Sequence, residues 1–225
     1  MPADDPEPPP LAALELLLEV DEDAAEPRPG EEGACWLPDA AFLLDWARHA
    51  LSATLADGAG ASSARHELSV RLVASSTMRA LNRDWRGRDA PTNVLSFPAE
   101  LPPLLPIDAD DADDGADPSV EGDGVRDVGA DGAEDGGADA DGPASSALLA
   151  LGDLALCPAV IDAEARSQGK PPSAHWAHLV VHGVLHLRGF DHEDGPAAEA
   201  MESLEIRLLS MRQIPDPYRA HTPLT

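Results

Sequence analysis

Three histidines spaced as H-x3-H-x5-H constrain this chain more than any other feature of its sequence. They are His182, His186 and His192. The largely apolar run 176–187 contains no proline and one glycine, which predicts a buried helix. Residues four apart lie one turn apart on one face of a helix, so His182 and His186 should lie close together. Gly189 can take the left-handed conformation that ends a helix, and the chain can then bring His192 back toward the other two.

Three imidazoles that converge without a fourth protein ligand are typical of a catalytic zinc site with one position open to water. A packed, hydrogen-bonded core histidine is the ordinary explanation for a single His in an apolar helix. That explanation does not account for three histidines at this spacing. We therefore predict one transition metal ion per chain, zinc or another metal. His175 and His178 precede the trio and are interpreted as structural residues or as partners that orient the ligands.

The spacing matches the long zinc-peptidase motif H-E-x-x-H-x-x-G-x-x-H, with one difference. Gly183 stands where those peptidases have the glutamate that acts as general base. Zinc can still lower the pKa of a bound water to about 7, but the usual carboxylate that takes the proton is missing. The residues therefore favour a metallohydrolase in which some other group assists. Asp191, beside a ligand, is one candidate.

The run 182–192, His-Gly-Val-Leu-His-Leu-Arg-Gly-Phe-Asp-His, resembles the signature of the YbeY family, the bacterial endoribonucleases of rRNA maturation. Residues 78–98 resemble that family's second marker, and residues 151–154 resemble its strand before the zinc helix. The three segments occur in the family's order. The resemblance covers about residues 36–100 and 148–218.

This resemblance implies a zinc-dependent, single-strand-specific endoribonuclease that acts at the 3′ end of the small-subunit rRNA and in ribosome quality control. Its partners would be RNA and the ribosome or its small subunit, with no DNA or membrane partner, in the cytoplasm. The metal ligands would be His182, His186 and His192, and Arg86 would be the family's catalytic arginine.

Arginines concentrate in the second marker. Arg79, Arg83 and Arg86 are spaced four and three apart, which puts them on one face if the helix extends that far, and Arg88 follows. Guanidinium groups bind phosphate oxygens through paired hydrogen bonds, so this face is a candidate phosphate clamp. The alternative is an ordinary solvated basic face. At Arg86 the predicted role is to stabilise or orient the scissile phosphate.

Two other functions remain open from the residues. One is a different metallohydrolase, such as a peptidase or an amidase, against which Gly183 argues. The other is a non-catalytic ribosome-assembly factor whose zinc is structural.

Negative charge is distributed unevenly along the chain. The net charge is −27, of which residues 1–32 carry −10 and residues 108–142 carry −13, which leaves −4 for the rest. The folded part is therefore near neutral. Residues 102–147 are rich in Asp, Ala, Gly and Pro without apolar periodicity, which predicts a disordered insert. A tolerated loop insertion explains the insert better than an acidic regulatory or RNA-mimicking tract, because long surface loops cost little stability.

Strands and helices alternate, which predicts an α/β (α+β) fold with a small mixed sheet that is parallel in part. The resemblance to the YbeY family implies a single compact domain of zincin-like character. Predicted strands cover residues 11–20, 67–74, 93–97 and 148–157, and predicted helices cover 37–55, 77–85, 159–169, 176–187 and 196–211. An acidic, proline-rich leader spans 1–32, the hydrolase domain spans 33–218 around the insert at about 102–147, and a tail spans 219–225.

Several side-chain positions are also predicted. Ser75 or Ser76 should cap the second helix. Trp85 and Phe97 are expected in the core, although either could stack on a base, and Met211 is expected on the inward face of the last helix. No targeting or membrane segment is found. The two cysteines, 35 and 157, form no C-x-x-C pair and are expected to be buried thiols.

Overall fold

The computed structural model describes residues 13–26, 35–55, 64–99, 148–190 and 195–219. All of these residues belong to one structural unit. The predicted acidic insert, Asp191, His192 and the residues that end the chain after 219 lie outside the described ranges.

Four strands form one mixed sheet in the order β1-β2-β4-β3. The strands are β1 (Leu14–Val20), β2 (Arg65–Leu72), β3 (Val94–Pro98) and β4 (Leu148–Leu156). β1 pairs in parallel with β2, β2 pairs in parallel with β4, and β3 pairs antiparallel with β4. The prediction of a small mixed sheet that is parallel in part is confirmed.

Five helices connect and cover the strands. They are α1 (Ala40–Leu55), α2 (Ser75–Arg86), α3 (Pro158–Ser167), α4 (Pro172–Leu187) and α5 (Gly195–Ser210). Each predicted helix is present, with ends shifted by a few residues. α4 begins four residues earlier than predicted, because a proline is well tolerated in the first turn, where its missing N–H breaks no bond. The earlier start brings His175 into the helix.

The sheet has two covered faces because successive side chains of a strand point to opposite sides. Val94 of β3 belongs to the apolar cluster that contains residues of α1, α4 and α5, among them the fully buried Trp176. Leu95 belongs to a second cluster, in which Met78 of α2 packs. α4 and α2 therefore cover opposite faces of the sheet, and the edge strand β3 contributes to both clusters.

Gly183 lets α4 pack tightly on the sheet. A Cβ at this position would lie 2.8 Å from Cδ2 of Leu154 in β4, and 3.5 Å from Oγ of Ser96 in β3. The Ser96 hydroxyl donates a hydrogen bond to the carbonyl oxygen of Gly183 at 3.3 Å. A glutamate at this position would therefore collide with the buried Leu154. The glycine that replaces the peptidase glutamate therefore serves the packing of α4 on the sheet, in addition to changing the chemistry of the site.

Replacing Gly183 with alanine should lower the free energy of unfolding by about 1–2 kcal/mol, since the cost of overpacking exceeds the gain in helix propensity. Urea denaturation of both proteins under the same metal loading measures this. Gly195→Ala is a matched control, because a Cβ there meets nothing within 4 Å. Equal midpoints for Gly183→Ala and the wild type would contradict the tight contact.

Three side-chain predictions are wrong. Ala74, in extended conformation, is the N-cap of α2 and makes no side-chain cap bond, because the helix already includes Ser75, three residues after β2 ends. Met211 is 65% exposed, since α5 ends one residue before it. Trp85 is 70% exposed and meets Phe97 in an edge-to-face contact, with ring centroids 5.4 Å apart.

Two further predictions concern the cysteines and membrane-spanning segments. Cys35 and Cys157 are both buried and unbridged, as predicted. None of the helices in the described ranges has the length and apolar character needed to cross a membrane.

Candidate metal centre and phosphate-binding surface

His182 and His186 lie one turn apart on α4, as their spacing predicts. Their ring centroids are 4.5 Å apart, and the two Nε2 atoms face each other at 3.1 Å. Two nitrogens bound to one zinc ion at about 2.0–2.1 Å with tetrahedral angles would lie roughly 3.4 Å apart. The donor pair therefore fits a single transition metal ion. Both side chains are half-buried.

The carboxyl end of α4 has the predicted glycine turn. Gly189 has φ 84°, its N–H donates to the carbonyl oxygen of His186 at 2.9 Å, and the Phe190 N–H donates to that of Leu185 at 3.1 Å. This is the Schellman arrangement that ends a helix through a left-handed residue. The chain thus leaves α4 directly after the second histidine. His192 lies beyond the described residues, so its place as third ligand stays a prediction.

Glu205 of α5 lies behind this pair and is fully buried. Its Oε1 accepts a hydrogen bond from Nδ1 of His182 at 2.8 Å, and its Oε2 accepts one from Nε2 of His178 at 2.9 Å. The hydroxyl of Tyr218 also donates to Oε2. Burial alone raises the pKa of Glu205, but the hydrogen bonds from His178 and His182 outweigh it and lower the pKa to about 2. The carboxylate is therefore ionised at neutral pH.

The same cluster contains a candidate His-His-Glu metal site. One ligand atom each from His178, His182 and Glu205 lies within 4.8 Å of the others. However, both nitrogen-to-oxygen distances are those of direct hydrogen bonds, in which each imidazole N–H donates to the carboxylate. A metal ion in this position would require both protons to leave. The facing Nε2 atoms of His182 and His186 are also at hydrogen-bond distance, but only one proton can lie between them, so a metal ion displaces fewer protons there and this is the better donor pair.

The three arginines of α2 are not equivalent. Arg79 makes a two-pronged ion pair with Asp89 at 2.7 and 2.6 Å, and this bond lowers the pKa of the Asp89 carboxyl. Arg83 pairs with Asp84 at 2.8 Å. Arg86, the last residue of α2, is exposed and makes no hydrogen bond or ion pair within the described ranges. Of the predicted clamp, Arg86 and Arg88 are exposed and, within the described ranges, can meet a phosphate without breaking an ion pair, and Arg86 is the one that ends α2.

The edge strand β3 lies between the arginine end of α2 and α4, the helix that carries the histidine pair. Phe97 packs against Trp85, the residue before Arg86, and Ser96 bonds to the backbone of α4 at Gly183. Successive residues of β3 thus contact the two elements from opposite faces of the sheet. The two predicted halves of the site flank one strand edge, although they are far apart in the sequence.

Glu205 and Tyr218 are missing from the sequence-based prediction. The available signal was the position of Glu205, four residues after Met201 and three before Leu208, both of which are buried on the inward face of α5. A carboxylate on an apolar helix face is rarely buried without a partner. Nothing in the sequence pointed to Tyr218, which reaches Glu205 from the segment after α5.

A mixed sheet carrying a histidine pair on a packed helix defines an α/β protein with a candidate histidine metal centre. Residues 39–213 match the sequence model of the family described as Endoribonuclease YbeY. The chain belongs to this endoribonuclease family, and the resemblance of its motifs is confirmed.

Individual relatives agree with the family match. A protein of Halorhodospira halophila named Endoribonuclease YbeY is 44% identical over 153 residues, which cover 68% of this chain and 75% of the relative. A relative of the same name from Alkalilimnicola ehrlichii is 45% identical over 182 residues, covering 81% and 82%. A solution structure of a Thermotoga maritima protein covers 91% of this chain and 99% of its own, at 17% identity and a TM-score of 0.40, which is too low to support any inference.

Proposed function

We propose that this chain is a zinc-dependent endoribonuclease that cuts single-stranded RNA in rRNA maturation. The observation that carries the proposal is the pair of Nε2 atoms, on His182 and His186, that face each other at 3.1 Å. It occurs in a chain of the YbeY endoribonuclease family. The RNA substrate class is taken from the relatives, whose name is endoribonuclease.

In this proposal His182, His186 and His192 hold the metal, with His192 supplied by the H-x-x-G-x-x-H spacing. A bound zinc ion supplies Lewis acidity, which makes water or a ribose hydroxyl easier to deprotonate. Gly183 offers no general base, so a proton acceptor must come from another residue. Asp191, next to the third histidine, remains the candidate.

Arg86 is proposed to bind the scissile phosphate. Its guanidinium is exposed, and no carboxylate within the described part of the chain competes for it. A planar guanidinium donates two parallel hydrogen bonds to phosphate oxygens, which suits it to the charge that grows during cleavage. Trp85, the preceding residue, has an exposed ring that can stack on an unpaired base. Stacking on single bases would account for a preference for single strands.

The wider role is also proposed from family membership. The substrate would be rRNA at the 3′ end of the small-subunit RNA, and the partner would be the ribosome or its small subunit, in the cytoplasm. A part in ribosome quality control belongs to the same proposal.

Purified protein should cut an unstructured RNA, and a chelator should stop the cleavage until zinc is added back. Casein should stay intact under the same conditions, because Gly183 replaces the peptidase base. Gel analysis of both substrates with one preparation makes the comparison. RNA binding without any cleavage, with full metal content, would instead favour an assembly factor with structural zinc. Chelator-sensitive casein degradation would favour a peptidase.

A further inference from the structure

We infer that Glu205 is a positioning residue of the metal centre, which holds His182 with its proton on Nδ1 and its Nε2 lone pair directed at the metal. The inference rests on the proposed function, since it concerns the same centre. Glu205 is assigned no contact with metal or substrate, and it acts through the imidazole of His182.

The contact between the two residues supports this role. Oε1 of Glu205 lies 2.8 Å from Nδ1 of His182, and the carboxylate is fully buried. An ionised carboxylate accepts hydrogen bonds but donates none, so the proton must be on Nδ1. A neutral imidazole has one N–H, which leaves Nε2 with a lone pair. That is the nitrogen 3.1 Å from Nε2 of His186.

The negative charge also bears on metal affinity. A carboxylate that accepts a hydrogen bond from a metal-binding histidine makes the imidazole more basic and fixes its ring orientation. Buried in a helix interface, Glu205 is screened little by water, so its charge acts more strongly on a nearby cation than a surface carboxylate would. Glu205 thus both selects the tautomer of His182 and favours a bound cation.

Two further side chains hold Glu205 in place. His178 donates from Nε2, and its Nδ1 is buried without a hydrogen-bond partner in the described structure, which agrees with a single proton on Nε2. Tyr218 donates its hydroxyl to the same carboxylate oxygen. The Lys170 ammonium donates to the carbonyl oxygen of Pro217 at 2.6 Å and so anchors the segment that carries Tyr218. The segment after α5 is therefore part of the support for the metal centre.

Glu205→Gln should bind zinc about 10–100-fold more weakly than the wild type, as measured by competition with a chromophoric chelator. Glutamine keeps the size and one acceptor but removes the charge. Glu202→Gln is the control, since it removes an exposed carboxylate one turn earlier on the same helix. Tyr218→Phe should weaken zinc binding by a smaller factor, and it removes only one hydroxyl, so it also tests the inference if Glu205→Gln does not fold.

A spectroscopic readout separates positioning from general damage. The zinc-loaded wild type should show a downfield, exchange-protected proton resonance from Nδ1–H of His182, assigned by its loss in His182→Ala. It should move upfield in Glu205→Gln and stay in place in Glu202→Gln. Unchanged zinc affinity in both Glu205→Gln and Tyr218→Phe would overturn the inference, as would an unmoved resonance in Glu205→Gln. If His182→Ala keeps its zinc, the proposed centre itself is wrong, so the two failures are distinguishable.

Discussion

Arg86→Ala should slow RNA cleavage by about 100-fold or more, which is the scale of losing one preorganised hydrogen-bond donor to a transition state. The proposed histidine ligands offer nothing that recognises a phosphate. Arg86 ends α2 with an exposed guanidinium that no carboxylate of the described residues neutralises. Metal content and melting temperature should change little, because an exposed arginine contributes little stability.

Single-turnover cleavage of one defined RNA at saturating protein is the measurement, since saturation separates the chemical step from binding. Arg83→Ala is the matched control. Arg83 lies one turn earlier with similar exposure, but it pairs with Asp84, so its loss should have a much smaller effect. Arg86→Lys should rescue activity only in part, because lysine keeps the charge but lacks the planar pair of donors. A wild-type rate for Arg86→Ala at saturation would reduce this residue to a docking contact.

His186→Ala should release the metal and reduce cleavage to the level of the chelated wild type. The spacing predicts one ion per chain, and the structure directs Nε2 of His186 at Nε2 of His182. Two remaining histidines bind zinc far more weakly than three, because each ligand of a structured site adds to the affinity. The side chain is only half-buried, so the fold should survive its removal.

Elemental analysis of purified wild type and variant, together with RNA cleavage, tests this prediction. His49→Ala is a suitable control, since His49 is also half-buried but bonds to the backbone of Leu208 in α5. That variant should keep its metal and its activity. Full metal content in His186→Ala would refute the histidine centre, whatever its effect on cleavage.

The Arg86 and His186 predictions concern helices on opposite faces of the sheet. α4 packs on one face of the sheet with the histidines, and α2 packs on the other with Arg86 at its end. Ser96 and Phe97 of β3 contact α4 and α2 respectively. An RNA strand that reaches both would pass along this edge of the sheet. Loss of Arg86 should therefore leave the metal in place, and loss of His186 should leave RNA binding largely intact.

Much of the site could be predicted from the sequence because it depends on local geometry. The spacing of four between His182 and His186 places them on one face of any helix, whatever packs around it. Gly189 ends that helix because glycine adopts positive φ without a steric cost, and its φ is 84°. The alternation of strands and helices likewise predicted the fold class, and the motifs predicted the family. Each of these properties is set by neighbours close in the sequence.

The tertiary structure alone decided which distant residues complete the site. Glu205 lies 23 residues from His182 and meets it only because α5 packs against α4. The spacing of Arg79, Arg83 and Arg86 predicted three similar cations, but the loop after α2 returns Asp89 to Arg79 and leaves Arg86 exposed. In the sequence, Gly183 indicates only that the peptidase base is missing. The structure shows that a side chain at this position would collide with Leu154 of β4. Periodicity determines which face of a helix a residue occupies, whereas its partners depend on which element packs against that face.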